Sequence, residues 1–131
     1  MKVIELGEGV WGDARGWGLD PYRTSGIVPG AEVSCHVVSM NPGAVRGNHL
    51  HPDALEWMIV FGAPCTLAGQ LPGEAPVELR IEGDRPVMVQ FEAGEVHAVR
   101  GEGPGVTFLV AFNDQPAPTT ERVDPILNPA G

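Results

Sequence analysis

Gly43-Ala44-Val45-Arg46-Gly47-Asn48-His49-Leu50-His51-Pro52-Asp53-Ala54-Leu55-Glu56 is the stretch on which the reading of this chain turns. Side chains alternate across a β-strand, so His49 and His51, two positions apart, project to one face. Pro52-Asp53 marks a turn that can bring Glu56 back on the next strand. Two imidazoles and a carboxylate then converge. A further histidine, His97, follows Phe91-Glu92-Ala93-Gly94-Glu95-Val96, a turn between two strand-like runs, and stands where it can supply a fourth ligand. A single His-x-His pair on a strand is more often exposed or structural than ligating; Glu56 and His97 are what turn the pattern toward a metal. Three neutral imidazoles and one carboxylate suit one divalent transition metal (Fe, Mn, Ni, Co, Cu or Zn), and six-coordinate geometry leaves two positions open.

Outward from this stretch, short apolar runs recur between turn signals. They are Glu32 to Met40, Trp57 to Phe61, Cys65 to Leu71, Val77 to Ile81, Val87 to Phe91, Val96 to Arg100 and Val106 to Phe112. The separators are Pro29-Gly30, Asn41-Pro42-Gly43, Leu71-Pro72-Gly73, Glu82-Gly83-Asp84 and Gly101-Glu102-Gly103-Pro104-Gly105. Strands at this spacing predict an all-β sandwich or barrel, and no segment has a 3.6-residue period long enough for a helix. Gly 18 and Pro 13 together fill 31 of the 131 positions, which agrees with frequent turns. The length predicts a single domain over 1–131: an irregular N-terminal arm or strand over 1–30, the barrel over 31–113 and a Pro-rich surface tail over 114–131.

Asp+Glu 17 against Lys+Arg 8 gives a net charge of −9, and the basic residues are scattered, so a nucleic-acid partner is not expected. The longest apolar runs, Trp57 to Phe61 and Phe108 to Phe112, are far shorter than the ~20 residues that span a bilayer. Glu5 and Glu8 interrupt the place where a signal peptide needs an apolar core. A cytoplasmic protein without a membrane segment is the expectation. Cys35 and Cys65 lack any clustered spacing and read as buried, reduced thiols.

The histidine pattern resembles the cupin superfamily. The family's first motif, G-x5-H-x-H-x3-4-E-x6-G, is met by Gly43, His49, His51 and Glu56, with Gly62 one position early; the second, G-x5-P-x-G-x2-H-x3-N, is met at Gly94 and His97 only. Pro86, Glu92 and Gly101 stand where that motif has glycine, proline and asparagine. The resemblance covers roughly residues 30 to 113. It implies a jelly-roll β-barrel with a metal held inside by His49, His51, Glu56 and His97. If Glu56 points inward, so do Met58 and Val60, which leaves Trp57, Ile59 and Phe61 on the opposite face. Three large apolar groups need a cover, either the N-terminal arm or a second subunit, and a homodimer, common among cupins, is the expectation.

Asp13-Ala14-Arg15-Gly16-Trp17 and Arg46-Gly47-Asn48-His49 resemble more closely the nucleotide-sugar branch of cupins, which includes dTDP-4-dehydrorhamnose 3,5-epimerases. There, the histidine corresponding to His49 is the general base and the arginine corresponding to Arg46 contacts the substrate diphosphate. This chain departs from those epimerases in having His51 where glutamine is usual, and its one tyrosine, Tyr22, lies in an irregular segment. A metal-bound imidazole nitrogen cannot also take a proton, so His49 is either ligand or base, and the complete donor set favours ligand. Arg46 and Met58 are candidate substrate contacts, with a salt bridge and core packing as the alternatives. His36 reads as structural; Asp53 and Glu95 read as solvated turn residues, with orientation of an imidazole as the alternative.

The expected function is a metal-binding cupin acting on a small molecule by Lewis-acid chemistry, as a sugar-like isomerase or epimerase. The alternatives are an Fe(II) dioxygenase using the two open positions, and a non-catalytic protein that binds a metabolite or metal.

Overall fold

The structure, a computed structural model, describes residues 1–23 and 30–130; Gly131 and Pro29 of the Pro29-Gly30 turn lie outside the described residues. Its strands are β1 (Lys2–Ile4), β2 (Val10–Asp13), β3 (Gly16–Leu19), β4 (Ser34–Met40), β5 (Val45–Leu50), β6 (Glu56–Gly62), β7 (Cys65–Gln70), β8 (Val77–Ile81), β9 (Val87–Phe91), β10 (Val96–Gly101), β11 (Thr107–Asn113) and β12 (Glu121–Arg122). Each of the seven apolar runs is a strand, with ends displaced by at most two residues. Two 3-10 turns, Gly7–Gly9 and Pro21–Arg23, are the only helical turns among the described residues.

The strands form two five-stranded sheets in the orders β1-β9-β6-β11-β4 and β12-β5-β10-β7-β8, with β2 and β3 as a separate hairpin. All their pairings are antiparallel. Residues of both sheets meet in the main core: Met58, Val60, Val89, Phe91, Leu109 and Ala111 from one, Leu67, Ile81 and Val99 from the other. The fold is all-β, as the turn spacing predicts, and of the jelly-roll type that the resemblance implies.

Met58 and Val60 face the core, and Trp57, Ile59 and Phe61 face away, as strand alternation requires. The cover over that outer face is the N-terminal segment. Ile4, Leu6 and Leu19 pack on Trp57, Ile59 and Met88, and Trp17 meets Phe61 edge-on at 5.4 Å. Trp57 and Ile59 are buried within the chain, so this apolar strip supplies no argument for a second subunit.

Residues 114–130 lie mostly exposed on the surface but are docked onto the second sheet. β12 pairs with β5, and Leu127, 2% exposed, packs on Ala68 and Ala98 on the outside of the second sheet. Prolines remove ladder donors only at their own positions, so Glu121–Arg122 still pairs, and the Ile126-Leu127 pair supplies an apolar anchor. A correction concerns the thiols: Cys65 is buried, whereas Cys35 is exposed on β4.

β5 carries a bulge. His97 of β10 faces His49, but the next residue, Ala98, faces Gly47, so Asn48 is the extra residue. Gly47 and Asn48 both have left-handed backbones, with φ of 98° and 56°. A Cβ at Gly47 would stand 2.6 Å from the His97 carbonyl oxygen, so only glycine fits there. The extra residue reverses the alternation. Arg46 faces Val99 and His49 faces His97, and Val99 and His97 share a face, so Arg46 and His49 are turned the same way despite their odd separation.

Candidate metal centre

His49 and His97 are register partners on β5 and β10, and His51 follows directly after β5. Their three rings lie 4.8 to 5.2 Å apart between centroids. One nitrogen of each imidazole lies within 4.8 Å of the other two. Glu56 opens β6, flanked by Phe91 of β9 and Asn113 of β11, and enters this group from the opposite sheet. Its Oε2 is 2.8 Å from His97 Nε2, and its Oε1 is 3.9 Å from His51 Nε2. The structure therefore brings together all four residues that the sequence singles out.

The tautomers follow from the outer hydrogen bonds. His97 Nδ1 stands 3.2 Å from the Glu95 carbonyl oxygen, and His51 Nδ1 stands 3.0 Å from the Thr119 carbonyl oxygen. A carbonyl only accepts, so in both rings Nδ1 carries a proton and Nε2 is the nitrogen turned toward Glu56. The 2.8 Å contact sets His97 Nε2 against Glu56 Oε2, a buried carboxylate oxygen with no other hydrogen-bond donor. Such a meeting calls for a cation, either a proton shared by the pair or a metal ion, and the donor set of imidazole nitrogens and carboxylate oxygens suits a divalent transition metal. Phe91 stacks on His97 with centroids 4.8 Å apart and keeps the pair dry.

Burial pushes the Glu56 carboxyl up, but the adjacent His97 imidazole, with His51 and His36 beyond it, more than offsets this and holds it below the usual carboxylate range. His49 is lowered to about 4, first by burial and then by His97, His51 and Arg122, against the opposing pull of Glu56. It is a neutral imidazole at neutral pH.

The group opens into a cleft of about 430 Å³ between the sheets. His49, Glu56 and His97 form its floor, and Val38, Met58 and Leu109 an apolar wall. Arg46 lines the cleft and reaches across it, its Nε donating to the Ser39 carbonyl at 3.0 Å, while its terminal guanidinium nitrogens have no hydrogen-bond partner among the described residues. One lining residue read as structural and one not singled out complete the rim. His36 of β4 borders the cleft, and Arg122 of β12 stands opposite His49 in register. Neither Arg46 nor Arg122 has a carboxylate partner among the described residues, unlike Arg15, Arg23, Arg80 and Arg100. Only pairing reveals Arg122, although a charged residue within an otherwise breaker-rich tail was the available signal.

Three further expectations meet the structure here. Glu95 is buried rather than solvated: its carboxylate pairs with the α-amino group of Met1 and accepts the Glu92 N–H at 3.0 Å, and its backbone carbonyl orients His97. Asp53 is exposed and accepts the N–H and hydroxyl of Thr119. Tyr22 hydrogen-bonds to Glu32 and is not among the residues lining the cleft.

No protein-family model and no curated protein sequence matches this chain. Solved structures do. NovW, a 4-keto-6-deoxy sugar epimerase from the novobiocin biosynthetic gene cluster of Streptomyces spheroides, is 19% identical with a TM-score of 0.67, over 96% of this chain and 75% of that one. A capsular polysaccharide assembling protein, CapF from Staphylococcus aureus, is 19% identical with a TM-score of 0.65 over 88% of this chain, which spans only 34% of CapF. A protein with a double-stranded β-helix domain from Klebsiella pneumoniae is 16% identical with a TM-score of 0.57, over 73% of this chain and 74% of that one. The chain has the cupin-type double-stranded β-helix fold. Among the described residues, no helix is long and apolar enough to cross a membrane.

Proposed function

We propose that the cleft is the active site of an isomerase or epimerase acting on a keto-sugar-like small molecule, with His49, His51, Glu56 and His97 holding one divalent transition metal. The observation that carries this reading is the buried Glu56 oxygen 2.8 Å from His97 Nε2, with His51 turned the same way. A bound ion supplies Lewis acidity to a substrate carbonyl oxygen, which makes the adjacent C–H more acidic. The chain's own residues supply the rest. Arg46 and Arg122 hold an anionic or hydroxyl-rich portion of the substrate, and Met58 packs against its apolar carbons. His36, outside the donor set, is the imidazole free to take the proton from the carbon beside the carbonyl. Protonation of the resulting enolate from the opposite face by a solvent water completes an epimerisation; protonation of the neighbouring carbon, with its hydroxyl proton passing to the former carbonyl oxygen, completes an isomerisation, and neither changes the atom count. The likeness to NovW supports a sugar-like substrate.

A second reading rests on His49. Its depressed pKa leaves a neutral imidazole at the cleft floor, which is the state a general base needs. In that reading, a proton shared by His97 and Glu56 replaces the metal.

Metal analysis of the purified protein, followed by solvent-deuterium exchange into a nucleotide-linked 4-keto-6-deoxy sugar, separates the two. Stoichiometric metal with exchange that is lost on chelation is the expected result. Exchange from metal-free protein overturns the metal assignment and gives the reaction to His49. Bound metal with no exchange into this substrate or other keto-sugars overturns the isomerase reading.

A further inference from the structure

The C-terminal segment touches the candidate centre at two places, and each contact is held by a side chain outside the donor set, Asp53 at one and Asn48 at the other. The first is at His51. The carbonyl oxygen that fixes its Nδ1–H belongs to Thr119, 3.0 Å away, and the Thr120 hydroxyl stands 3.3 Å from the same nitrogen. Thr119 is itself held by Asp53, whose carboxylate accepts its N–H at 3.1 Å and its hydroxyl at 3.2 Å. Asp53 lies two residues beyond His51, so one turn supplies both the imidazole and the anchor for the group that orients it.

The second contact is at the bulge. Asn48 Oδ1 accepts the N–H groups of Ile126 and Leu127 at 3.0 and 3.2 Å, and Asn48 Nδ2 donates to the Leu127 carbonyl at 2.9 Å. The Val123 N–H adds a bond to the Asn48 carbonyl at 3.2 Å. These bonds hold the one non-glycine residue with a left-handed backbone among the described residues, and it is the residue that turns His49 and Arg46 toward the same cleft.

We propose that Asp53 and Asn48 are positioning residues that clamp segment 119–128 onto the His49–His51 strand, and that this clamp fixes the tautomer and direction of His51 and the facing of His49. The tautomer part stands on the hydrogen bonds alone; only its metal readout rests on the donor set proposed above. A carboxylate that merely stabilises a turn has no reason to alter an imidazole tautomer, which is the difference to measure.

The test uses the full chain, metal-free, with 15N-labelled histidine. Long-range 1H–15N correlation reads the tautomer of each ring, and competition titration reads Co(II) affinity. In the unaltered protein, His51 is expected in the Nδ1–H form. Asp53→Ala should give a tautomer mixture and bind Co(II) about 10- to 100-fold more weakly, as loss of outer hydrogen bonds to metal-binding histidines does. Asp53→Asn keeps an acceptor and should restore both. Asn48→Gly tolerates the left-handed backbone while deleting the side-chain bonds, and should also weaken Co(II) binding. An unchanged His51 tautomer in Asp53→Ala, or a loss that Asp53→Asn does not restore, overturns the clamp. Absence of Co(II) binding by the unaltered protein overturns the metal reading instead, and the tautomer shift still decides the clamp.

Discussion

Glu56 is a carboxylate almost wholly withdrawn from water, 3% exposed, against an imidazole that is equally buried. Removing one partner of a buried pair leaves the other without compensation, at a cost of roughly 3–5 kcal/mol. His97→Ala should lower the unfolding free energy of the metal-free protein, read by urea denaturation, by such an amount, whereas Glu56→Gln, which removes the charge and keeps the shape, should cost clearly less. The pH dependence follows from His49 and Glu56. Between 6.5 and about 4 the unfolded chain protonates His49 and the folded chain does not, so stability falls as pH drops through that window. Glu56, with its folded pKa below 4.5, adds stability above that value and loses it as pH falls through the folded pKa, which is the same direction. Chemical denaturation of metal-free protein at about pH 7 and about pH 5 should show the loss, and His49→Gln should flatten it. For metal occupancy, His51→Ala and Glu56→Ala should each remove the ion, while His36→Ala should leave it bound. His49 and His51 were legible from strand alternation, Glu56 from the turn that returns the chain, and His97 from the turn before it and the motif resemblance. Arg46 was legible only through the resemblance, since its facing depends on a bulge that only the pairing with β10 exposes.

At the level of elements, the barrel strands were readable from apolar runs bounded by Gly and Pro, and their observed ends differ little. The two ends of the chain were not. Neither carries a periodic apolar pattern, and each is held by a few side chains: Ile4, Leu6 and Leu19 at one end, Leu127 and the Asn48 bonds at the other. The role of a segment that docks through isolated anchors is set by the surface it meets, which is absent from its own sequence. Leu127→Ala should destabilise by about 2–4 kcal/mol, in the range of buried leucine truncations, and a fall in melting temperature would show it. Gly47→Ala should be at least as damaging, because φ is 98° and the added methyl meets the His97 carbonyl at 2.6 Å. A variant as stable as the parent would contradict the bulge geometry.

Across the whole molecule, each outer sheet face is partly covered by one end of the chain, and the cleft opens between the sheets. The two cysteines report on this layout. Cys65 is packed in the main core and its thiol is pushed up to about 11 by burial and by Glu102, while Cys35 is exposed on β4. A thiol reagent at about pH 8 should therefore modify one cysteine in the folded protein and two after denaturation, since the thiolate is the reacting form.

The clamp on His51 has a consequence for how the protein is made. Thr119 lies 68 residues after His51, and Leu127 lies 79 after Asn48. A chain growing from its N-terminus has therefore presented His49 and His51 before it has produced the groups that hold their strand. During that interval His51 lacks the carbonyl that fixes its ring. The direction of this imidazole is set only once residues 119–127 have been made.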